Sequence, residues 1–98
     1  MEWEIRHPEL ESVYISGKSN QLPTIDDRIA KKITIRIHQI QTVSGFNELK
    51  KIKSFQLVKS KKPNCYSMSL TEDLWLLIQI VKVNTDVKEK VHIIDIHQ

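Results

Sequence analysis

The sequence has a single cysteine, Cys65, among its 98 residues. A lone thiol excludes a disulfide framework and a cysteine-based zinc site, and it fits a reducing, cytoplasmic setting. Glycine is almost as scarce, with only Gly17 and Gly45. Phosphate-cradling loops need several glycines at fixed spacing, so nucleotide-cofactor enzymes of the usual kinds are excluded and no cofactor is expected. Long hydrophobic runs are missing as well. The longest, LWLLI, falls far short of the roughly 20 residues that span a bilayer. The acidic N-terminus does not read as a signal peptide, so no membrane is expected among the partners. Nor is there a strong excess of one charge: 15 Lys plus Arg against 12 Asp plus Glu leave +3, which names no partner.

What remains is an ordinary globular composition, 40% hydrophobic and 28% charged. It fits one domain, 1–98, large enough to bury roughly 65% of the surface that its unfolded chain exposes.

The period of the apolar residues changes along the chain. Trp3 and Ile5 alternate with Glu2, Glu4 and Arg6 as in a short strand. Pro8 suits a first helical turn, Glu9 and Glu11 complement its positive end, and Leu10, Val13 and Tyr14 share one face. GKSNQLP has the chemistry of a loop. Thr24 and Asp27 then have the form of a capping box opening a second helix, along which Ile25, Ile29, Ile33, Ile37 and Ile40 recur. Ile33, Ile35 and Ile37 also alternate as in a strand, but the length of the segment favours helix. Ser44 and Gly45 end it, and FNELKK allows one further helical turn.

Strand character follows. Segment 55–59 reads as a strand with Phe55 and Leu57 on one side. Tyr66, Met68 and Leu70 alternate with Cys65, Ser67 and Ser69, and TED at 71–73 forms a tight turn. Segment 74–83 is apolar on both faces, as in a central strand with Trp75 and Leu76 buried on opposite sides. NTDVKEK reads as a charged turn. A last strand, 91–96, carries Ile94 and Ile96 on one face and Val91 and Ile93 on the other. The pattern is β-α-α followed by antiparallel strands, an α+β class.

Three groups of residues invite chemistry. Lys50, Lys51, Lys53, Lys59, Lys61 and Lys62 concentrate six positive charges in thirteen residues that contain no acid. Phosphate backbones bind such clusters through counterion release, although lysines at a sheet edge also serve solubility. His7, His38, His92 and His97 lack metal-ligand spacing, and no metal is expected. His92 and His97, five apart, fall on opposite faces of a regular strand. Asp95 and His97, two apart, share a face, where a carboxylate beside an imidazole suits acid–base work. Cys65 lies among serines and reads as structural.

Taken in order, EIRHPELESVY, IAKKITIRIHQIQ, GFNELKKI, FQLVKSKKPNCYSMSL, TEDLWLLIQIV and VHIIDIHQ resemble the HigB branch of the RelE/ParE toxin superfamily over nearly the whole chain. The resemblance implies a RelE-like fold, with two N-terminal helices packed on a twisted, mainly antiparallel sheet of four to five strands. It implies the toxin of a type II toxin–antitoxin pair, a ribosome-dependent mRNA endoribonuclease in which the RNA 2′-hydroxyl attacks the adjacent phosphate. The partners it implies are the ribosome, mRNA and a helix-turn-helix, HigA-like antitoxin.

Carried over by residue, Lys59 matches the lysine that contacts RNA and stabilises phosphate charge, while Gln56 stands where the family has a histidine. Lys62 falls near a common basic position, and Tyr66 and Leu70 match strand positions. Trp75 stands where relatives carry the arginine that supports the phosphate, and no arginine follows Arg36. At the C-terminus two registers are open. Asp95-Ile96-His97 matches a catalytic D-Y-H with the tyrosine changed, or else VHIIDI aligns with V-x-I-x-E-I and the motif is gone. The implied catalytic residues are Asp95, His97 and Lys59. The implied RNA contacts are Lys50, Lys51, Lys53, Lys59, Lys61, Lys62 and Tyr66. A depleted site of this kind also fits two alternatives: a non-catalytic binding protein that keeps the RelE fold and its partner surface, or a ParE-like gyrase inhibitor.

Overall fold

The computed structural model of the chain describes residues 1–16, 25–83 and 88–98. Strand β1 (Glu2–Ile5) leads into helices α1 (Pro8–Ser16) and α2 (Asp27–Thr42), the short α3 (Phe46–Lys50) and a 3₁₀ turn at Lys53–Phe55. Strands β2 (Val58–Lys59), β3 (Cys65–Ser69), β4 (Trp75–Val83) and β5 (Lys88–His97) complete it. The GKSNQLP loop and residues 84–87 of the charged turn lie outside the described residues.

The helical reading of 27–42 holds, and burial shows why. Ala30, Ile33, Ile37 and Ile40 are buried at helical spacing, whereas Ile35 is 53% exposed. The cap differs from the expected one. Asp26 supplies it, its carboxylate accepting the Ile29 N–H at 2.9 Å. Thr24 lies outside the described residues. A carboxylate in this position satisfies an orphan amide and complements the helix dipole. At α1, Pro8 is the first helical residue and His7 Nδ1 accepts the Leu10 N–H at 3.3 Å.

The five strands form one sheet in the order β1-β5-β4-β3-β2, antiparallel throughout except for the parallel β1–β5 pair. Both long helices pack on one face. Leu10 and Val13 of α1 and the α2 isoleucines meet Met68, Leu76, Ile78, Val91 and Ile93 in a single apolar core. The helix face of the sheet therefore holds the core, and the outer face mixes Ser67, Ser69, Gln79, Asp95 and His97 with Val58, Trp75 and Leu77.

Four expectations are corrected. Only Val58 and Lys59 of segment 55–59 pair as a strand; Gln56, at φ 46°, turns the chain left-handed and drops Phe55 into the core. The last strand starts at Lys88, because residues 88–90 pair with β4. Trp75 is only half-buried, since it lies on the outer face, while Leu76 is fully buried. Finally, β5 is irregular. Leu77 pairs with Asp95 but Ile78 pairs with Ile93, so Ile94 is an extra residue in the ladder. Such a bulge reverses the facing of everything beyond it. Ile96 thus joins Val91 and Ile93 on the helix side, and His92 shares the outer face with Asp95 and His97 instead of opposing His97.

Candidate functional site

The lysine cluster runs from α3 through the 3₁₀ turn to the β2 edge of the sheet. Lys50 ends α3, Lys51 caps it and Lys53 begins the 3₁₀ turn. Lys59 lies in β2, and Lys61 and Lys62 lie in the turn to β3. That turn is closed by Ser60 N–H to Cys65 O at 2.9 Å, with Asn64 in the left-handed region that asparagine tolerates. All six lysines are exposed, and among the described residues none is in an ion pair. Lys50 sits 5.3 Å from the ring centre of Phe46, which in turn lies 4.7 Å from the ring of Tyr66. These lysines are thus held on short elements outside any ion pair. Lys51 nonetheless lies close enough to Glu48 to help hold that carboxyl below its usual range, after the Ser44 hydrogen bonds.

The other implied residues sit elsewhere. Lys59 pairs with Tyr66, and Tyr66 with Ile78, which places Lys59 on the helix side of the sheet. Asp95 and His97 pair with Leu77 and Trp75 on the outer side. The two share a face as expected, yet they do not engage each other. Asp95 Oδ1 accepts the Ile96 N–H at 2.8 Å and lies 3.8 Å from His7 Nε2. His7 Nδ1 is the acceptor for Leu10, so the proton on its neutral ring sits on Nε2, facing Asp95. His97 Nε2 lies 3.0 Å from Ser67 Oγ instead, and its Nδ1 lies 3.1 Å from the Gln98 carbonyl oxygen. The structure therefore assembles a Ser67–His97 pair and a His7–Asp95 pair, and sets Lys59 apart from both.

Two further charged groups are committed to the fold. Arg36 donates to Ser69 O at 3.1 Å and to Gln39 Oε1 at 3.1 Å, and its guanidinium lies 4.9 Å from the centre of the Phe55 ring. Burial lowers its pKa from the ordinary value. The last arginine of the chain is thus a clasp between α2, β3 and the 3₁₀ turn. At the other edge, Glu4 is ringed by Arg6 at 3.2 Å, His92 Nε2 at 3.3 Å and Lys90 at 3.5 Å. Desolvation pushes Glu4 upward, but Arg6 and Lys90 outweigh it and hold the carboxyl below its usual range. His92, buried beside them, is held below the usual histidine range by desolvation first and by Arg6 next.

Sequence reasoning missed Ser67 and His7 as partners of His97 and Asp95. The serine alternation in 65–69 did place Ser67 on a polar face, but which β5 residue reaches it from beyond β4 depends on the bulge at Ile94. Among the described residues no three His, Cys, Asp or Glu side chains gather to hold a metal, and no helix is long and apolar enough to cross a membrane.

No protein-family model matches the sequence, and no curated protein matches it. Among solved structures the chain is similar to a YoeB/ParE toxin from Agrobacterium tumefaciens, with a TM-score of 0.56 over 99% of this chain and 97% of that one. Identity between the two is 11%, so the likeness is one of fold. The α+β class, the two helices on one face and the mainly antiparallel five-stranded sheet are those of a RelE/ParE-like fold.

Proposed function

We propose that this protein is the toxin of a toxin–antitoxin pair, of the HigB-like kind, that binds RNA along its β2 edge and cleaves it weakly. The observation that carries the reading is the set of six exposed lysines, none in an ion pair among the described residues, on α3, the 3₁₀ turn, β2 and the turn to β3 of a RelE/ParE-like fold. Six phosphate contacts are enough to make affinity fall steeply with salt, with a slope near −0.7 per contact for a single strand. The implied cleavage residues support only slow chemistry, because Lys59 and the Asp95–His97 strand end face opposite sides of the sheet. Its partners on this reading are mRNA on the ribosome and a helix-turn-helix antitoxin that covers the toxin until it is released.

The test is binding of a single-stranded RNA and of ribosomes at graded salt, by filter binding and co-sedimentation. Wild-type binding should weaken steeply with salt. Reversal of Lys59, Lys61 and Lys62 to glutamate should abolish it while leaving the circular dichroism spectrum unchanged. Equal affinity in the reversed protein would reduce the cluster to a solubility device. A second reading, a ParE-like inhibitor of gyrase, draws on the separation of Lys59 from His97, since that action needs no RNA-cleaving constellation. Inhibition of purified gyrase by a protein that ignores RNA would favour it.

A further inference from the structure

The outer face of the sheet holds a small pocket that the lysine cluster does not account for. Val58, Ser67, Trp75 and His97 line a space of about 210 Å³. Two of its walls are apolar. Val58 is 55% exposed, an unusual state for a β-branched strand residue, and Trp75 stands half-buried on the open face between Ser69 and His97. Its other two lining residues are polar and lie 3.0 Å apart at Ser67 Oγ and His97 Nε2. The Gln98 carbonyl only accepts, so Nδ1 of the neutral His97 ring carries the proton and Nε2 accepts the Ser67 hydroxyl proton. The turn that follows β2 carries Lys61 and Lys62.

We infer that this pocket receives one unstacked nucleobase of a single-stranded RNA, stacked on the Trp75 indole, with its edge toward the Ser67–His97 pair. The inference rests on the RNA-binding reading above and adds the ligand group and the residue that holds it. A charged phosphate gains nothing from two apolar walls, whereas a planar base gains both contact area and a π-face. Lys61 and Lys62, on the turn that follows β2, offer cations to phosphates further along the strand. Trp75 occupies the strand position where the resemblance leads one to expect an arginine, so the site exchanges a grip on phosphate for a grip on the base. Stacking of this kind tolerates every base, which leaves any preference to the Ser67–His97 edge.

The experiment uses the full chain with Trp3→Phe, which leaves Trp75 as the only indole. Its emission is followed on titration with a single-stranded RNA of about eight nucleotides, within the range such sites cover. The same length of abasic ribose-phosphate is titrated alongside. RNA should quench the emission and the abasic strand should not. Trp75→Ala should weaken RNA binding by roughly five- to a hundredfold, Trp75→Phe should restore most of it, and the salt slope should be the same in all three. Salt-dependent RNA binding without quenching, with equal affinity for the abasic strand, would overturn the pocket and leave the RNA reading standing. No binding of RNA at low salt would overturn both. Emission that shifts with protein concentration alone would give the patch to a second copy of the chain and overturn the base assignment.

Discussion

Lys59 stands opposite Tyr66 in the β2–β3 ladder, so its side chain leaves the strand on the helix side of the sheet while that of His97 leaves on the other. A phosphate held by Lys59 is therefore not a phosphate presented to His97. In acyl or phosphoryl chemistry, charge stabilisation and proton transfer act on one centre, and their joint placement supplies most of the rate. Here the strand register divides them. What the same register does bring together is Val58, Ser67, Trp75 and His97, on the face where Asp95 also lies.

The core prediction concerns Leu76, which is fully buried on the helix face of β4. Leu76→Ala should destabilise the protein by about 2–5 kcal/mol, the transfer loss plus the cavity left behind. Urea unfolding would read it. A loss below about half a kcal/mol would place β4 at the surface, against its position between β3 and β5.

Arg36 gives a second prediction. A lysine there keeps the charge but loses the planar fork that reaches Ser69 O and Gln39 and stacks on Phe55. Arg36→Lys should cost about 1–2 kcal/mol, the worth of one or two charged hydrogen bonds and an exposed-to-partly-buried stack. Its RNA affinity should not change, because this guanidinium is turned to the fold. A drop in affinity at unchanged stability would mean that Arg36 serves the ligand.

Much of this architecture was legible in the sequence because burial imposes a period. Ile33, Ile37 and Ile40 declared a helix even though Ile35 imitated a strand, and its 53% exposure confirms which period was real. Met68 and Leu70 against Ser67 and Ser69 declared the two faces of β3. The bulge at Ile94 was not legible, because an inserted residue leaves an apolar run VHIIDI that fits either parity. That single residue decides that His92, Asp95 and His97 share a face. Gln56 was hidden for a similar reason: its left-handed turn has no glycine or asparagine to announce it, so segment 55–59 passed for a longer strand. The separation of Lys59 from His97 follows from pairings between distant strands, which no local pattern encodes.

The Glu4 cluster sets an acid limit. Folding holds His92 less readily protonated than the unfolded chain does, so below the ordinary histidine range the unfolded state binds more protons. Stability then falls as pH drops through that range. Glu4, held below its usual range, adds stability at neutral pH that is lost at still lower pH, as its carboxylate is neutralised. Thermal melts from pH 8 downward should therefore show an early decline near the histidine range and a steeper one in the carboxylate range. His92→Gln should remove the early decline and leave the later one. An unchanged profile in that variant would assign the early loss to another histidine.

Cleavage is the most exposed prediction. Attack by an RNA 2′-hydroxyl needs a group to take its proton and fixed charge at the phosphate. His97 is tied to Ser67, and Asp95, which the resemblance pairs with it, faces His7 at 3.8 Å and its neighbour's amide at 2.8 Å. The chain's last arginine is bound to Ser69 O and Gln39. Loss of one preorganised donor typically costs on the order of 10²–10³ in rate, and this site lacks the arginine and an oriented acid–histidine pair. Induced expression should therefore give faint cuts in a reporter message by primer extension, and His97→Ala should leave any growth inhibition nearly unchanged. Strong, codon-positioned cuts that vanish in His97→Ala but persist in Asp95→Ala would show that Ser67–His97 is the working pair. Strong cuts lost in both variants would mean that Asp95 swings to His97 on the ribosome, and that the separation seen here belongs to the unbound chain.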